Sequence, residues 1–367
     1  MRLSQGIAEW FEKKPRQTTL SSWEYSFKDL HEATDGFSSS KRLGSGTSSV
    51  YKGMLKGSQV AVKAVRDSGE DFQEEVRILS RFRHPNLVRL LGWSKQKDFL
   101  VYELLCGGDL HYHLERSRSG EVFPASRRRL AAYQAACGLS YMMNSEPKAF
   151  HRDIKPANIL FDSHGTAKMA DFGLAGTIKD NKAHLTVDRI SGTPGYACPI
   201  YIQSGQVSEQ TEVYSFGTVL LELMVNLAPA LMDDKGGLVY PLLQCVQPAA
   251  PGALSRVFTH VEPTAGWTAL ELEELGKLAL RCVSFTPELR PLFDEILQGL
   301  RPDEEIKRVA LEDPFSKETG PRQEPESSKP PGEDNLDTAG AQRFEGNIIF
   351  SEETVSHSHD ARLVFKA

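Results

Sequence analysis

The residues best suited to chemistry lie in two short segments, residues 151–158, which read His-Arg-Asp-Ile-Lys-Pro-Ala-Asn, and residues 171–173, which read Asp-Phe-Gly. They place two acids, an amide and a cation on two loops. Moving the γ-phosphoryl group of ATP needs this set of groups. One acid, Asp153, orients the substrate hydroxyl, while the amide of Asn158 and a second acid, Asp171, hold Mg²⁺ against phosphate oxygens. Mg²⁺ prefers oxygen ligands and few protein carboxylates, so the spacing predicts a magnesium-dependent phosphoryl-transfer site.

Two further elements that such a site requires lie upstream. Residues 60–63 read as a buried strand that delivers Lys63, whose ammonium can bridge phosphates. A glycine-rich turn precedes Val50, and glycine lets backbone N–H groups come close to phosphates. The turn alone is weak support, since such turns are common in hairpins, but together with the strand lysine and the two loops it indicates one nucleotide site. The turn comprises Leu43, Gly44, Ser45 and Gly46.

The surrounding pattern predicts an α+β fold with two lobes. Residues 41–65 alternate turn glycines with β-branched and aromatic residues, as hairpin strands do. Apolar positions in residues 71–83 recur at three- and four-residue spacing, which marks an amphipathic helix. Residues 98–103 read as a buried strand, and the later periods are helical, most clearly in residues 127–143, 210–224 and 270–282. We expect a small antiparallel β-sheet lobe with one helix, to about residue 104, and then a larger, mainly helical lobe.

Composition and charge limit the classes of function. The chain has 367 residues, of which 40% are hydrophobic and 25% charged, as is typical of globular proteins. The formal net charge of −6 resides in residues 301–367, where nine lysines and arginines are outnumbered by fifteen aspartates and glutamates. No segment is basic enough to predict nucleic acid as the main partner.

Cysteine usage and targeting features predict a cytoplasmic protein. The five cysteines are scattered, odd in number and without a Cys-x-x-Cys pair, which favours reduced thiols over a disulfide framework or a zinc site. The N-terminal residues lack the apolar core of a signal peptide. The longest apolar-rich stretch, residues 216–225, is far shorter than a bilayer span, so we expect no integral membrane segment.

Composition also divides the chain into three regions. Residues 1–26 form a short, mixed N-terminal extension, residues 27–300 form the folded domain, and residues 301–367 form an acidic tail. The tail is rich in Pro, Glu, Ser, Lys and Gly, so it buries too little apolar area to offset its chain entropy and is expected to be mostly disordered. Residues 348–350 and 363–365 are apolar and could dock on the domain, but we expect them to be unstructured.

The motifs between about residue 27 and about residue 300 resemble those of eukaryotic protein kinases. The resemblance implies the bilobal kinase fold and an enzyme that uses ATP and Mg²⁺. Lys155, two residues after Asp153, resembles serine/threonine kinases, whereas tyrosine kinases usually carry other residues there. The expected substrates are proteins with serine or threonine hydroxyls, and autophosphorylation is expected as well.

Four segments resemble a narrower group, the plant receptor-like kinases and the Pelle/interleukin-receptor-associated kinases. They are residues 27–38, 84–92, 100–103 and 192–196. Proteins of that group add a receptor or a death domain, and neither is found in this sequence. The resemblance therefore implies a receptor-like cytoplasmic kinase in signal transduction, with an upstream receptor or adaptor as a partner.

The resemblance also assigns roles around the reacting phosphate. Glu75 is expected to pair with Lys63, because the inward helix face and the family's Phe-x-x-Glu-Val pattern select it over Glu74. The alternative is that both acids are solvated helix charges. Asp153 would take up the hydroxyl proton late in the reaction, and Lys155 would reach the transferring phosphate.

Adenine recognition is assigned to the segment after the buried strand. Tyr102 resembles the gatekeeper, and the backbones of Glu103 and Leu105 resemble the hinge groups that read the adenine edge. Asp109 could meet the ribose, and it is equally suited to cap the helix that follows. Four apolar residues would sandwich the ring, although each would also serve as a core residue; they are Leu43, Val50, Ala61 and Leu160.

Three positions depart from the kinase pattern. The glycine-rich loop is one residue short and has serine for its third glycine, which restricts how closely the backbone covers phosphates. Ile200 replaces the glutamate that would pair with Arg290. We therefore expect a poorly satisfied Arg290, left to Glu212, backbone carbonyls or solvent, and a stabilising ion pair in Ile200→Glu. Glu212 replaces an aspartate. The alternative function is a pseudokinase that acts as a signalling scaffold, and the retained catalytic residues favour the active enzyme over it.

Regulation is expected in the activation segment, residues 171–199. Arg152 is a cation beside the catalytic acid that an activation-segment phosphate can neutralise. Asp188 stands where the family often has a phosphorylated threonine, so it could partly satisfy Arg152 or be a solvated loop charge. Thr186 is the expected autophosphorylation site. Thr193 is expected to orient the catalytic acid and its neighbouring lysine.

Overall fold

The computed structural model describes residues 23–43, 49–65, 70–94, 96, 98–178 and 184–303, and the short strands Gln342–Arg343 and Ile348–Phe350. The described domain consists of a strand-rich lobe followed by a helical lobe. The α+β, two-lobed fold that the sequence predicts is confirmed.

One sheet of six strands forms the small lobe. Its strands are β1 (Trp23–Glu24), β2 (Arg42–Leu43), β3 (Ser49–Leu55), β4 (Ser58–Ala64), β5 (Leu90–Ser94) and β6 (Phe99–Glu103). Their order is β1-β5-β6-β4-β3-β2, and neighbours run antiparallel except β1, which lies parallel to β5. The register sets Lys63 opposite Val50 and Leu100, and sets Ala61 opposite Tyr102. The residues predicted to contact the nucleotide are therefore neighbours in this sheet.

Two helices accompany the sheet, α1 (Phe27–Ala33) and α2 (Glu70–Arg81). The first begins at a capping box, in which Ser26 Oγ accepts from Asp29 N at 3.1 Å and Asp29 Oδ2 accepts from Ser26 N at 3.0 Å. Along α2 the apolar stripe predicted by the spacing is buried, with Phe72 and Leu79 in the core. Glu75 lies one turn from both and is 2% exposed, so the buried face of α2 carries an acid into the lobe.

The large lobe is mainly helical and has one continuous core. Its helices are α3 (Leu110–Arg118), α4 (Ala125–Met143), α5 (Pro199–Ser204), α6 (Glu209–Val225), α7 (Pro241–Val246), α8 (Ala253–His260), α9 (Ala269–Cys282) and α10 (Phe293–Leu300). Fourteen of the seventeen residues of α6 are buried, and Phe216 meets Phe293 of α10 with ring centres 5.6 Å apart. The three helices predicted from periodicity are α4, α6 and α9. None of the described helices is long and apolar enough to cross a bilayer.

Short strands hold the functional loops of the large lobe. They are β7 (Ala149–Phe150), β8 (Ile159–Phe161), β9 (Ala167–Met169), β10 (Gly176–Thr177), β11 (Leu185–Thr186), β12 (Ile190–Gly192) and β13 (Gln206–Val207). β7 pairs with β10, β8 with β9, and β11 with β13, all antiparallel. Because β7 ends directly before residue 151 and β10 follows residues 171–173, the β7–β10 pair brings the two sequence motifs together.

Two strands of the tail pair with the folded domain. β14 (Leu231–Met232) pairs with β15 (Leu238–Val239) on one side and with β16 (Gln342–Arg343) on the other, and β17 (Ile348–Phe350) pairs with β12. The expectation that residues 348–350 are unstructured is therefore wrong, because a β-branched and aromatic run can add a strand to an open edge. Residues 1–22 and the rest of residues 304–367 lie outside the described residues, so their predicted states stay predictions.

Candidate active site

Lys63 of β4 lies in a buried cluster with two carboxylates. Its Nζ is 3.1 Å from Glu75 Oε1 and 2.7 Å from Asp171 Oδ1. Lys63 is 8% exposed. Glu75 is the acid that the inward helix face predicts, and Glu74 instead accepts a hydrogen bond from Arg77 at 2.7 Å. The cluster joins the sheet, α2 and the Asp-Phe-Gly motif at one point.

The charges of this cluster reinforce one another. Burial disfavours a charged lysine, but Asp171 and Glu75 outweigh it and hold the pKa of Lys63 above its ordinary value. In return the Lys63 ammonium lowers the pKa of Asp171 to about 2, although burial acts in the opposite direction. At neutral pH the site therefore presents an ammonium to phosphate and a carboxylate to a cation.

The hydroxyl of Tyr102 adds a contact that the sequence did not predict. It donates to Glu75 Oε1 at 2.6 Å. Burial, followed by the charge of Glu75, raises the pKa of Tyr102, so the phenol keeps its proton and acts as a donor. Tyr102 thus fixes Glu75 from the strand next to Lys63. Nothing in the local sequence marks this pair, because Tyr102 of β6 and Glu75 of α2 are 27 positions apart and meet only in the folded lobe.

A second cluster surrounds Asp153. Its Oδ1 accepts from Thr193 Oγ1 at 2.7 Å, and its Oδ2 accepts from Lys155 Nζ and Asn158 Nδ2, each at 2.9 Å. Lys155 Nζ also donates to Thr193 Oγ1 at 2.8 Å. The predicted contacts of Thr193 with the acid and the lysine are present. The acid, the cation and the amide of the first motif therefore meet at one buried carboxylate, which is 4% exposed as a residue.

Glu212 of α6 binds the backbone of the loop that carries Asp153. Glu212 Oε2 accepts from His151 N at 2.6 Å, and Oε1 accepts from Arg152 N at 3.0 Å. Burial raises the pKa of Glu212 to about 7 despite these two hydrogen bonds. The longer side chain at this position still reaches both amides, so replacement of the family's aspartate does not release the loop.

Two residues of the site adopt left-handed backbone angles that disfavour side chains. Arg152 has φ +68° and Asp171 has φ +59°. Such angles cost a non-glycine residue about 1–3 kcal/mol and persist where surrounding contacts impose them. His151 supplies one such contact. It accepts from Asp153 N at 3.3 Å through Nδ1, so its Nε2 donates to Ala170 O at 2.9 Å, beside Asp171.

The predicted magnesium ligands have the right donor atoms. Asn158 donates twice through Nδ2, to Asp153 O and to Asp153 Oδ2, which leaves its Oδ1 as an acceptor. The charged carboxylate of Asp171 is the second oxygen donor. Within the described residues no group of three or more His, Cys, Asp or Glu side chains is arranged to bind a metal. The donor set fits a cation that takes most of its oxygens from phosphates and water, as Mg²⁺ does.

Most residues predicted to contact adenine lie in the small-lobe sheet or directly after it, and Leu160 lies in β8 of the large lobe. Leu43 opposes Val50 in the β2–β3 pair, Ala61 opposes Tyr102, and the side chains of Leu105 and Leu160 are partly buried. Glu103 accepts from Lys168 Nζ at 3.0 Å. Asp109 caps α3, with Oδ1 accepting from Tyr112 N at 2.8 Å. Of its two expected roles, ribose contact and helix cap, the structure contains the cap. Gly44, Ser45 and Gly46 lie outside the described residues.

Arg290 takes backbone carbonyls as partners, one of the alternatives expected for it, but the expectation that it is poorly satisfied is wrong. Arg290 is 5% exposed, and it donates through Nε to Ser284 O and through Nη1 to Gln210 O, each at 2.8 Å. Its guanidinium also lies 5.1 Å from the centre of the Tyr214 ring. Carbonyl oxygens and an aromatic face therefore replace the missing glutamate, and Ile200 packs against the hydrophobic core.

The side chain of Arg152 contacts groups other than Asp188, one of its expected partners. Its Nη1 donates to Leu174 O at 2.9 Å, and its Nη2 lies 3.3 Å from Tyr201 Oη and 3.5 Å from Arg189 O. Asp188 is exposed, and no ion pair joins it to Arg152 in the described part of the chain. The alternative that Asp188 is a solvated loop charge fits this geometry. Thr186 is exposed in β11.

Known families and proteins match the chain over this region. A family model described as "Protein kinase domain" matches residues 37–299. "Wall-associated receptor kinase-like 14" of Arabidopsis thaliana is 34% identical over 304 residues, which cover 79% of this chain and 43% of the relative. "Cysteine-rich receptor-like protein kinase 2" of the same plant is 34% identical over 327 residues, covering 84% and 49%. "Proline-rich receptor-like protein kinase PERK2", also from Arabidopsis thaliana, is 42% identical over 291 residues, covering 75% and 40%. The chain spans about half the length of the curated relatives that it matches.

Proposed function

The chain belongs to the protein kinase family, and from that premise we propose that it transfers the γ-phosphoryl group of ATP to serine and threonine hydroxyls of proteins, its own included. The observation that carries the proposal is the arrangement around Asp153. A carboxylate fixed by Thr193, Lys155 and Asn158 is oriented to receive a hydroxyl group. The β7–β10 pair brings the Lys63 cluster close to Asp153. In that cluster Lys63 would bind phosphate oxygens and Asp171 would bind the metal.

Each residue has a proposed role in the transfer. Lys63, oriented by Glu75, would hold phosphate oxygens, and Asn158 with Asp171 would hold Mg²⁺, which neutralises charge on the phosphates when bound. Asp153 would orient the attacking hydroxyl and accept its proton. Lys155 would stabilise the charge of the moving phosphoryl group.

Adenine would lie between the small lobe and the hinge. The backbone groups of Glu103 and Leu105 would read its edge behind Tyr102. Asp109 would meet the ribose while its Oδ1 caps α3. The proposed contacts of the ring and phosphates are with Leu43, Gly44, Ser45, Gly46, Val50, Ala61 and Leu160.

A scaffold without catalysis is the alternative function, and the geometry favours it less. Its case rested on the short glycine loop and on Ile200. Arg290 has other partners, so the replacement at Ile200 leaves no buried cation unpaired. The catalytic acid contacts Lys155 and Asn158, and Asp171 contacts Lys63, so both predicted metal ligands are held by charged groups of the site.

The wider setting is also proposed. The relatives named above are receptor-like kinases, which supports a role in signal transduction. An upstream receptor or adaptor, and a place near the Pelle/interleukin-receptor-associated kinases, are proposed from the sequence motifs alone. A cytoplasmic location, as in receptor-like cytoplasmic kinases, is supported by five free cysteines. We propose residues 27–300 as the kinase domain, between the extension 1–26, whose strand β1 joins the sheet of the small lobe, and the tail 301–367.

The chemical identity of the product tests this proposal. The purified full chain is incubated with radiolabelled ATP, Mg²⁺ and casein, and the labelled proteins are hydrolysed to amino acids. We expect phosphoserine and phosphothreonine, and their loss in Asp153→Asn but not in the surface control Asp234→Asn. Phosphotyrosine alone would contradict the substrate class. If wild type incorporates no more label than Asp153→Asn, the result would support the scaffold without catalysis.

A further inference from the structure

Tyr201 of α5 contacts both the activation segment and residues 151–158, the catalytic loop of the proposed function. Its hydroxyl donates to Ser191 O at 3.0 Å, accepts from Ser191 N at 3.1 Å and accepts from Arg152 Nη2 at 3.3 Å. The residue is 5% exposed. Neither α5 nor the position after Ile200 carried any prediction from the sequence.

The hydrogen-bonding capacity of this hydroxyl is fully used. A phenol has one donor and two acceptor positions, and the three contacts occupy all of them. Ser191 is 7% exposed, so its backbone N–H and C=O lie where water cannot freely replace a lost partner. Tyr201 therefore fixes both backbone groups of the central residue of β12.

The position of Ser191 determines that of Thr193, two residues later. Thr193 Oγ1 touches Asp153 Oδ1 at 2.7 Å and Lys155 Nζ at 2.8 Å. The third contact of Tyr201 is with Arg152, the residue directly before Asp153. The hydroxyl thus reaches the catalytic acid by two routes, along the activation segment and along the catalytic loop.

The helix that carries Tyr201 is itself fixed without the missing glutamate. Cys198, which precedes α5, has its Sγ 3.2 Å from Arg290 Nη1. Ile200 packs against the core, and Gly205 ends the helix with φ +66°. A short, anchored helix is a firm base from which a side chain can hold a neighbouring strand.

We propose that Tyr201 is a positioning residue for phosphoryl transfer, holding β12 and Arg152 so that Thr193 meets Asp153 and Lys155. The proposal rests on the proposed function. It also explains how the activation segment keeps its place although the glutamate of the family pattern is absent and the guanidinium of Arg152 makes no ion pair in the described part of the chain.

Tyr201→Phe removes the hydroxyl and keeps the ring, so it tests the proposal directly in the full chain. We expect kcat/KM for casein to fall about tenfold while KM for ATP changes less than about twofold, because the lost contacts lie on the protein-substrate side. The control is Tyr141→Phe, which removes a hydroxyl from a tyrosine of α4 that packs on Phe82 and His84. An equal kcat/KM in wild type and Tyr201→Phe would overturn the proposal.

Two further measurements separate positioning from general destabilisation. Tyr201→Phe should have little further effect in a Thr193→Val background, because both changes act on the same contact with Asp153, and fully additive losses would count against this route. Amide hydrogen exchange at residues 190–193 should be faster in Tyr201→Phe and unchanged in Tyr141→Phe. Unchanged exchange overturns the Tyr201 proposal even if the enzyme is active, whereas a wild-type chain without phosphoryl transfer contradicts the proposed function itself.

Discussion

At the scale of single residues, the site is a set of charged side chains in direct contact. Lys63 supplies one ammonium to two carboxylates, Glu75 and Asp171, while Tyr102 donates a hydroxyl to the same Glu75 oxygen. A buried charge is costly unless it is paired and hydrogen-bonded. Each member of this cluster therefore depends on the others, and removal of one is expected to disturb the orientation of the rest.

Glu212 makes stability depend on pH in an unusual direction for an acid. Its pKa rises from 4.5 to about 7 in the folded protein because burial disfavours the carboxylate. Between these pH values the folded state binds more protons than the unfolded state, so the stabilisation from Glu212 is present below pH 4.5 and is lost as the pH rises through about 7. The free energy involved is about 3 kcal/mol.

The test compares wild type with Glu212→Gln by urea unfolding at pH 5 and pH 8. Glutamine does not titrate, so the wild type should lose up to about 3 kcal/mol relative to the variant over this interval. Other titrating groups are common to both proteins and cancel in the difference. A difference in unfolding free energy that is the same at both pH values would contradict a raised pKa for Glu212.

The structure reverses the expected effect of Ile200→Glu. Arg290 already donates to two carbonyls, and Ile200 packs against the core, so an acid there loses apolar contacts without meeting an unpaired cation. We expect a loss of about 1–3 kcal/mol of stability. Ile200→Gln is the matched control, because it has the same shape without the charge. A melting temperature of Ile200→Glu above that of Ile200→Gln would show that an ion pair with Arg290 forms after all.

At the scale of elements, α2 is tied to the activation segment as well as to Lys63. Thr177 of β10 is 5% exposed, and its hydroxyl contacts Arg77 and lies 3.2 Å from Glu74 Oε1. β10 pairs in turn with β7, which leads into the catalytic loop. The hydroxyl therefore links the helix that carries Glu75 to the lobe that carries Asp153.

Thr177→Val keeps the shape of the side chain and removes this link. We expect a loss of about 1 kcal/mol, faster amide exchange in α2 and a severalfold rise in KM for ATP, because Glu75 is held less firmly. Thr218→Val is the control, since that buried hydroxyl donates to Tyr214 O within α6. If both valine variants change α2 exchange equally, the link through Thr177 does not operate.

The elements that the sequence predicted are those with long, regular apolar patterns. α2, α4, α6 and α9 follow from their 3.6-residue period, and the pairing of Lys63 with Glu75 follows from the inward face of α2. The two-residue strands have no period to detect. The contacts of Arg290 and Tyr201 could not be predicted, because their partners lie 6 to 92 and 10 to 49 positions away and meet only in the folded lobe.

At the scale of the whole molecule, the proposed function places the nucleotide between the two lobes. Ligand that binds only the folded state adds about 2.7 kcal/mol of stability at one hundred times its dissociation constant. We expect ATP with Mg²⁺ to raise the melting temperature more than ATP alone, and Asp171→Ala to lose the part that depends on Mg²⁺. The surface variant Asp234→Ala should keep it. An identical shift with and without Mg²⁺ in wild type would contradict the proposed metal ligands.

The most direct test of the account is the initial rate of phosphoryl transfer from radiolabelled ATP to casein by the purified full chain. Lys63→Met and Asp171→Ala remove the two partners of one ion pair of the site, and Lys277→Met removes an exposed lysine whose ion pair with Glu273 lies on the surface of α9. We predict that Lys277→Met has the wild-type rate and that Lys63→Met and Asp171→Ala have rates at least about a hundredfold lower. Equal rates in all four proteins would show that the measured activity does not come from this site.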